Sequence, residues 1–163
     1  VLPHRDLDTL RGIEGARVKT IYRLMAEKYG IKWNGRHYDR EDPNAADIPN
    51  QAINHAATAV QAAAAIATQS LAAIPQLGFI HEDSGQAFVL DIADLFRDSI
   101  TLQIAFSAAK KAIDGDETTI DRLVRREASI IFRKQDVIPA MIEKIKQVLR
   151  TEEINGSGSD SDA

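Results

Sequence analysis

The sequence predicts an all-α fold, one compact multi-helix domain. Three observations carry that prediction. Apolar residues recur at three-, four- and seven-residue steps in separate segments, the spacing of one helix face. The stretch Ala52 to Ala73 is so rich in alanine that a helix there would be narrow, letting neighbours pack closely. No run alternates convincingly as a strand, and no internal repeat is visible.

Residues 1–6 (VLPHRD) form an irregular lead-in, and the abrupt start is what a fragment or processed product would show. Asp6 or Asp8 caps a first helix running to about Tyr29, with Gly30 as its stop. Its apolar positions are Leu10, Ile13, Val18, Ile21, Leu24 and Met25. Glu14 shares a face with Val18, Ile21 and Met25, so a carboxylate points to the interior side and needs a partner. An ion pair with Arg11 or Arg17 satisfies it, and so does a metal. Gly12 and Gly15 flank it, each weakening the helix by about 0.8–1.0 kcal/mol relative to alanine, which suggests close approach to the backbone.

Residues 31–49 are irregular, with turn signals at Asn34-Gly35 and Asp42-Pro43. Trp33, Arg36, His37, Tyr38 and Arg40 suit either nucleic-acid contact or a surface loop pinned by one tryptophan. Pro49 to Ala73 is the second helix, read as the central one, with Asn50, Gln51, Asn54 and His55 as caps or site residues at its start. Pro75 and Gly78 end it and deliver the chain to His81.

The organising stretch follows, Phe79 to Asp98. Phe88, Ile92, Leu95, Leu102 and Phe106 share helical spacing, so one helix runs from about Ala87 to Ile113. Asp91 and Asp94 lie three apart in it and therefore side by side. With His81 just upstream, these acids form a donor set that can hold a divalent metal.

Asp114-Gly115-Asp116 make a turn, and Thr118 or Thr119 caps a helix to about Lys134 on Ile120, Leu123, Val124, Ile130 and Ile131. Arg122, Arg125, Arg126 and Arg133 are interspersed, a ridge that can meet phosphates or stay a solvated, ion-paired face. Asp136 caps the last helix, whose stripe is Ile138, Met141, Ile142, Ile145, Val148 and Leu149. The domain thus spans 7–150, and residues 151–163, ending in GSGSDSDA, are expected to be a disordered acidic tail.

Composition narrows the function. Of the 163 residues 44% are hydrophobic, yet no run of about 18 apolar residues occurs, so no membrane partner is expected. No secretory signal is visible. The lack of cysteine excludes thiolate metal sites and suits a reducing cytoplasm. Net charge is −4, but residues 1–40 carry nine Lys/Arg against five Asp/Glu, an asymmetry compatible with one polyanion-facing surface.

RGIEG at 11–15, GFIHE at 78–82 and FVLDIADLFR at 88–97 together resemble the CRISPR-associated integrase, the metal-dependent DNA endonuclease subunit that acquires new spacers. KWNGRHYD at 32–39 is similar to a pattern of the type I-E branch. The likeness covers about residues 7–150. It implies the all-helical catalytic domain, without the β-rich N-terminal domain of the family. It implies metal binding by Glu14, His81 and Asp94 (the catalytic set), with Asp91 as a second aspartate of the acidic patch. Arg97, Arg122, Arg125 and Arg36 would line the DNA path. The loop after His81 departs from the family pattern, having Glu82, Asp83 and Ser84 where a lysine belongs. The implied cofactor is Mg2+ or Mn2+, one imidazole tilting the preference to manganese. The implied partners are duplex or branched DNA, a second copy in a homodimer, and the small CRISPR adaptation subunit that bridges integrase dimers. The implied reaction is transesterification by a DNA 3′-hydroxyl, which needs no protein nucleophile. A different class of reading is a DNA-binding and assembly module, inactive alone. An unrelated helical bundle whose acids only solvate it is the third.

Overall fold

The computed structural model of the protein describes residues 7–37, 46–81 and 85–156, the side chains of 7–12, Glu14 and 150–156 excepted. All regular structure among the described residues is helical. The helices are α1 (Leu7–Tyr29), α2 (Ile48–Ser70), α3 (Ala87–Leu95), a π-helical turn (Arg97–Thr101), α4 (Leu102–Ile113), α5 (Ile120–Lys134) and α6 (Val137–Gly156). No described helix is long and apolar enough to cross a membrane. The lead-in 1–6, Tyr38 to Ala45, Glu82 to Ser84 and residues 157–163 lie outside the described residues, and with them the expectations for Arg40, Asp42-Pro43 and the tail's end. The chain forms two compact units, Val1–Ala56 with Asp98–Glu127, and Ala57–Arg97 with Ala128–Ala163.

In the first unit α1 packs on α4. Gly30 sits at φ +63, and Ile31 N–H returns to Ala26 O at 2.9 Å, so the left-handed glycine closes α1 where the sequence placed its stop. The buried face is not the predicted one. Leu24 is 52% exposed and Ile13 is exposed too, while Tyr22 and Ala26 are buried. The reason is aromatic. The Tyr22 ring stacks on Trp33 at 5.4 Å, and Trp33 and Tyr29 meet Phe106 of α4 at 5.7 and 6.3 Å. Aromatic rings bury large areas, and their contacts fix which side of α1 turns inward.

Trp33 thus pins the loop that follows α1, and a fully buried Asn50 holds its far end. Asn50 Nδ2 donates to Gly35 O at 3.0 Å and Asp47 Oδ1 at 2.7 Å, while its Oδ1 accepts from Arg36 and from His37 N–H. Both donors and both lone pairs of the amide are used. On α5 a carboxylate is buried among apolar neighbours. Glu127 accepts from Ser107 Oγ at 2.6 Å and from the Lys111 ammonium. Burial pushes its carboxyl upward, but the Lys111 and Ser107 hydrogen bonds outweigh that and hold it below the usual range.

In the second unit the small buried residues of α2 recur as Val60, Ala63, Ala64 and Ala67, a helical stripe. Its end is a Schellman closure: Ala73 N–H bonds to Thr68 O at 3.2 Å around Ala72, which lies at φ +52. α3 packs on α6, whose buried positions Val137, Met141 and Ile145 follow the predicted stripe. Asp136, expected as the cap of α6, is left-handed at φ +46, and its carbonyl accepts from Ala140 N–H.

One prediction fails in an informative way. The helix expected to run unbroken from Ala87 to Ile113 is interrupted after Phe96 by the π-helical turn. Leu95 is 57% exposed, and Ala87, Phe88, Val89, Ile92 and Ala93 form the buried face of α3 instead. A wide turn inserts one residue into the repeat, and a spacing rule that assumes 3.6 residues throughout cannot register it. On α5, Ile130 likewise faces outward.

Candidate metal and DNA site

The loop from Ile74 to His81 is tied to α3 at both of its ends. Phe88 N–H donates to Pro75 O at 2.9 Å. Gly78 then passes so close to the start of α3 that a Cβ there would lie 2.5 Å from His81 O and 2.6 Å from Ala87 Cβ. Only hydrogen fits in that space, which is why a glycine precedes the histidine. The Phe79 ring meets Phe88 edge-on at 5.8 Å.

Asp91 holds the end of the loop. It is 6% exposed, and both of its oxygens face three consecutive backbone amides. Oδ2 accepts from Phe79 N–H and from Ile80 N–H at 3.0 Å. Oδ1 accepts from His81 N–H at 3.2 Å and from His81 Nδ1 at 2.6 Å. Burial pushes the Asp91 carboxyl upward, yet the His81 bond and the three amides together leave it below the usual range. An ionised carboxylate accepts only, so Nδ1 carries the proton of this bond, and Nε2 is the ring nitrogen that Asp91 does not engage. Asp91, expected beside Asp94 as a metal-supporting acid, is therefore occupied in orienting the histidine.

Asp94 lies one turn further along α3, half exposed, with its Oδ1 on the Arg97 guanidinium. Glu14 is in the helical part of α1, and its side chain lies outside the described residues. Its neighbour one turn on, Arg17, bonds Asp98 at 3.2 Å. Among the described residues no three His, Cys, Asp or Glu side chains cluster as a metal centre. The donors present suit a hard divalent ion even so: a histidine whose Nε2 Asp91 does not engage and a half-exposed carboxylate. An apolar cleft of about 500 Å³ lies beside the loop, lined among the described residues by Ile74, Leu77, Phe79, Phe88 and Leu149.

The predicted DNA-facing arginines differ from one another. Arg122 is exposed, and its guanidinium makes no hydrogen bond or ion pair with a described residue. Arg125 is paired with Asp121, whose carboxyl is held down to about 2 by Thr119 and by Arg125. Arg126 is paired with Asp116 at 2.9 Å. Arg36 donates to Asn50, Asn54 and the His37 carbonyl. Sequence reasoning missed Glu127, although it shares the face of Leu123, Val124 and Ile131, the same signal that singled out Glu14.

Comparison with known proteins gives a consistent answer. Over 148 residues the chain is 39% identical to the CRISPR-associated endonuclease Cas1 1 of Rhodospirillum rubrum, covering 90% of this chain and 47% of that protein. It is 35% identical over 159 residues to the CRISPR-associated endonuclease Cas1 of Escherichia coli K12, covering 98% and 51%. Among solved structures, one described as the crystal structure of a TtCas1-DNA complex superposes with a TM-score of 0.81 at 32% identity, over 92% of this chain and 56% of that one. The chain spans about half the length of these relatives. The family model for the CRISPR associated protein Cas1 matches residues 2–122. Helical fold, relatives above 30% identity along nearly the whole chain, and the family match agree: this chain belongs to the CRISPR-associated Cas1 family.

Proposed function

We propose that this chain is the catalytic domain of a metal-dependent DNA endonuclease/integrase that joins foreign DNA fragments into a CRISPR array by transesterification. The observation that carries the reading is the Asp91–His81 pair, in which a buried carboxylate holds Nδ1 of a part-exposed ring and leaves Nε2 as the nitrogen for a ligand. Glu14, His81 and Asp94 supply the ligands of Mg2+ or Mn2+, and Asp91 acts through His81. The bound ion would activate an oxygen nucleophile and offset charge on the phosphate. Arg122 and Arg97 attract the DNA backbone, Arg125 contributes less because Asp121 offsets it, and Arg36 acts by holding its loop. The domain assignment is residues 7–150, with 151–163 a tail. The partners are duplex or branched DNA, a second copy of the chain, and the small CRISPR adaptation subunit.

The test is cleavage of branched DNA with Mn2+, comparing the chain with Glu14→Ala and His81→Ala. Turnover that both substitutions abolish supports the reading; turnover that survives them refutes the ligand set. A second reading is favoured by the chain's spanning about half of its relatives. In it, the domain binds DNA and partners but turns over only with the remainder present. Equal, zero turnover in all three proteins, with DNA binding intact, supports that one.

A further inference from the structure

We propose that Ile80 and Leu95 are nucleobase contacts at the candidate metal site, taking the apolar faces of unpaired bases next to the phosphate held at His81 and Asp94. The inference deepens the proposed function and rests on its reading of these two side chains as metal ligands.

Three observations carry it. First, each of the two candidate ligands has a large, exposed apolar neighbour in the chain. Ile80 precedes His81 and is 81% exposed, the highest value among the described large apolar side chains, and Leu95 follows Asp94 at 57%. Left in water, neither adds much to the fold, because apolar side chains stabilise through burial. Second, Ile80 stands on firmly held backbone. The amides of Phe79, Ile80 and His81 all donate to the buried Asp91 carboxylate, and Gly78 is pressed against Ala87 just before them. A β-branched side chain is stiff at χ1, so Ile80 loses little freedom when a base lands on it. Leu95 lies one turn from Asp91 on the same face of α3, the face on which the loop rests. Third, a base fits this place better than a protein partner does. Neighbouring Cα atoms are about 3.8 Å apart, close to the rise of about 3.4 Å per nucleotide, so a phosphate at either ligand has an apolar side chain one step away. The apolar cleft beside the loop is lined by Phe79 and by neither Ile80 nor Leu95. Single apolar side chains next to charged Asp94 fall far short of the roughly 800 Å² that a protein partner covers. Isoleucine and leucine are side chains suited to pressing on base faces, and one base needs only one of them. Bases stacked in a duplex hide those faces, so the contact selects unpaired nucleotides. Every base has such a face, so it discriminates little between sequences.

The experiment uses the 163-residue chain, with folding of each variant checked by thermal melting. Fluorescently labelled branched DNA with one unpaired arm is titrated by anisotropy in Ca2+, an ion that oxygen donors accept. A single abasic nucleotide is moved one position at a time through the arm. One abasic position is expected to weaken binding to the parent by about three- to tenfold, the reach of partly burying one isoleucine. Ile80→Ala should weaken binding of the intact DNA by a similar factor and be indifferent to that abasic position, the non-additivity of a direct contact. Leu95→Ala should show the same at a neighbouring position, and Ile66→Ala, which removes an exposed isoleucine of α2, should match the parent. Ile80→Ala that binds intact DNA like the parent, or that is as sensitive to every abasic position as the parent, overturns the contact. So does Ile80→Ala that alters only self-association in sedimentation, which would make this a protein-facing side chain. Calorimetric titration with Mn2+ alone keeps the two readings apart: Ile80→Ala should bind the ion as the parent does. Mn2+ binding indifferent to both His81→Ala and Asp94→Asn refutes the ligand set, and a parent that binds no DNA refutes the DNA reading and this contact together.

Discussion

Gly78→Ala is the sharpest probe of how the loop presents His81. The added Cβ would lie 2.5 Å from His81 O, 2.6 Å from Ala87 Cβ and 2.9 Å from Ala87 C. All three are far inside ordinary contact, and none is the flexible end of a side chain. The loop must therefore move away from α3 by roughly 1 Å, at an overpacking cost of about 1–3 kcal/mol. That movement stretches the bonds from Phe79, Ile80 and His81 amides to Asp91, and hydrogen bonds to a charged group are worth about 1.5–3 kcal/mol each. Allowing for partial relaxation, the sum is about 2–4 kcal/mol, a melting-temperature fall of roughly 5–12 °C for a chain of this size. The control is Gly85→Ala, where an added Cβ meets nothing within 4 Å. Thermal unfolding of both variants, with Mn2+ titration of each, decides the matter. A Gly78→Ala protein as stable as the parent, or a Gly85→Ala protein equally damaged, refutes the steric account.

Three other outcomes follow from the same coordinates. Ala72→Gly relieves a left-handed alanine at the end of α2 and should raise stability by about 0.5–1 kcal/mol, read from the urea midpoint. The carboxyls of Asp116 and Asp121 are held down to about 2, and those of Asp91 and Glu127 lie below the ordinary value. Lowered folded-state values mean the stability is fully present above the unfolded value of about 4 and is lost as pH falls towards about 2. Denaturation followed across that window should show this loss, and Glu127→Gln with Asp91→Asn should flatten it. Arg122→Ala should weaken DNA binding and reduce the salt dependence by about one phosphate contact, and Arg125→Ala should do less. Anisotropy measured at several salt concentrations reads both.

Helix positions were legible because their boundaries are written in local chemistry. Gly30 closes α1, the Ala-rich stretch forms α2, and the turn at 114–116 separates α4 from α5. Which residues of a helix face inward was less legible. Leu24, Leu95 and Ile130 fit the spacing but point outward, because Trp33 and Phe106 set the face of α1 and the π-helical turn resets the count after Leu95. The candidate site divides similarly. A histidine followed by two acids could be read from the sequence, but their division of labour could not, since it depends on three backbone amides that have no sequence signature.

Those amides carry one more consequence. Ile80 is 81% exposed and Phe79 52%, side chains that look like part of a freely wetted loop. Their N–H groups nevertheless point at a submerged carboxylate, so solvent deuterium should replace these protons slowly. A short tract of protected protons under solvent-facing side chains is a signature of an intact histidine mount that can be read with neither ion nor nucleic acid in the tube.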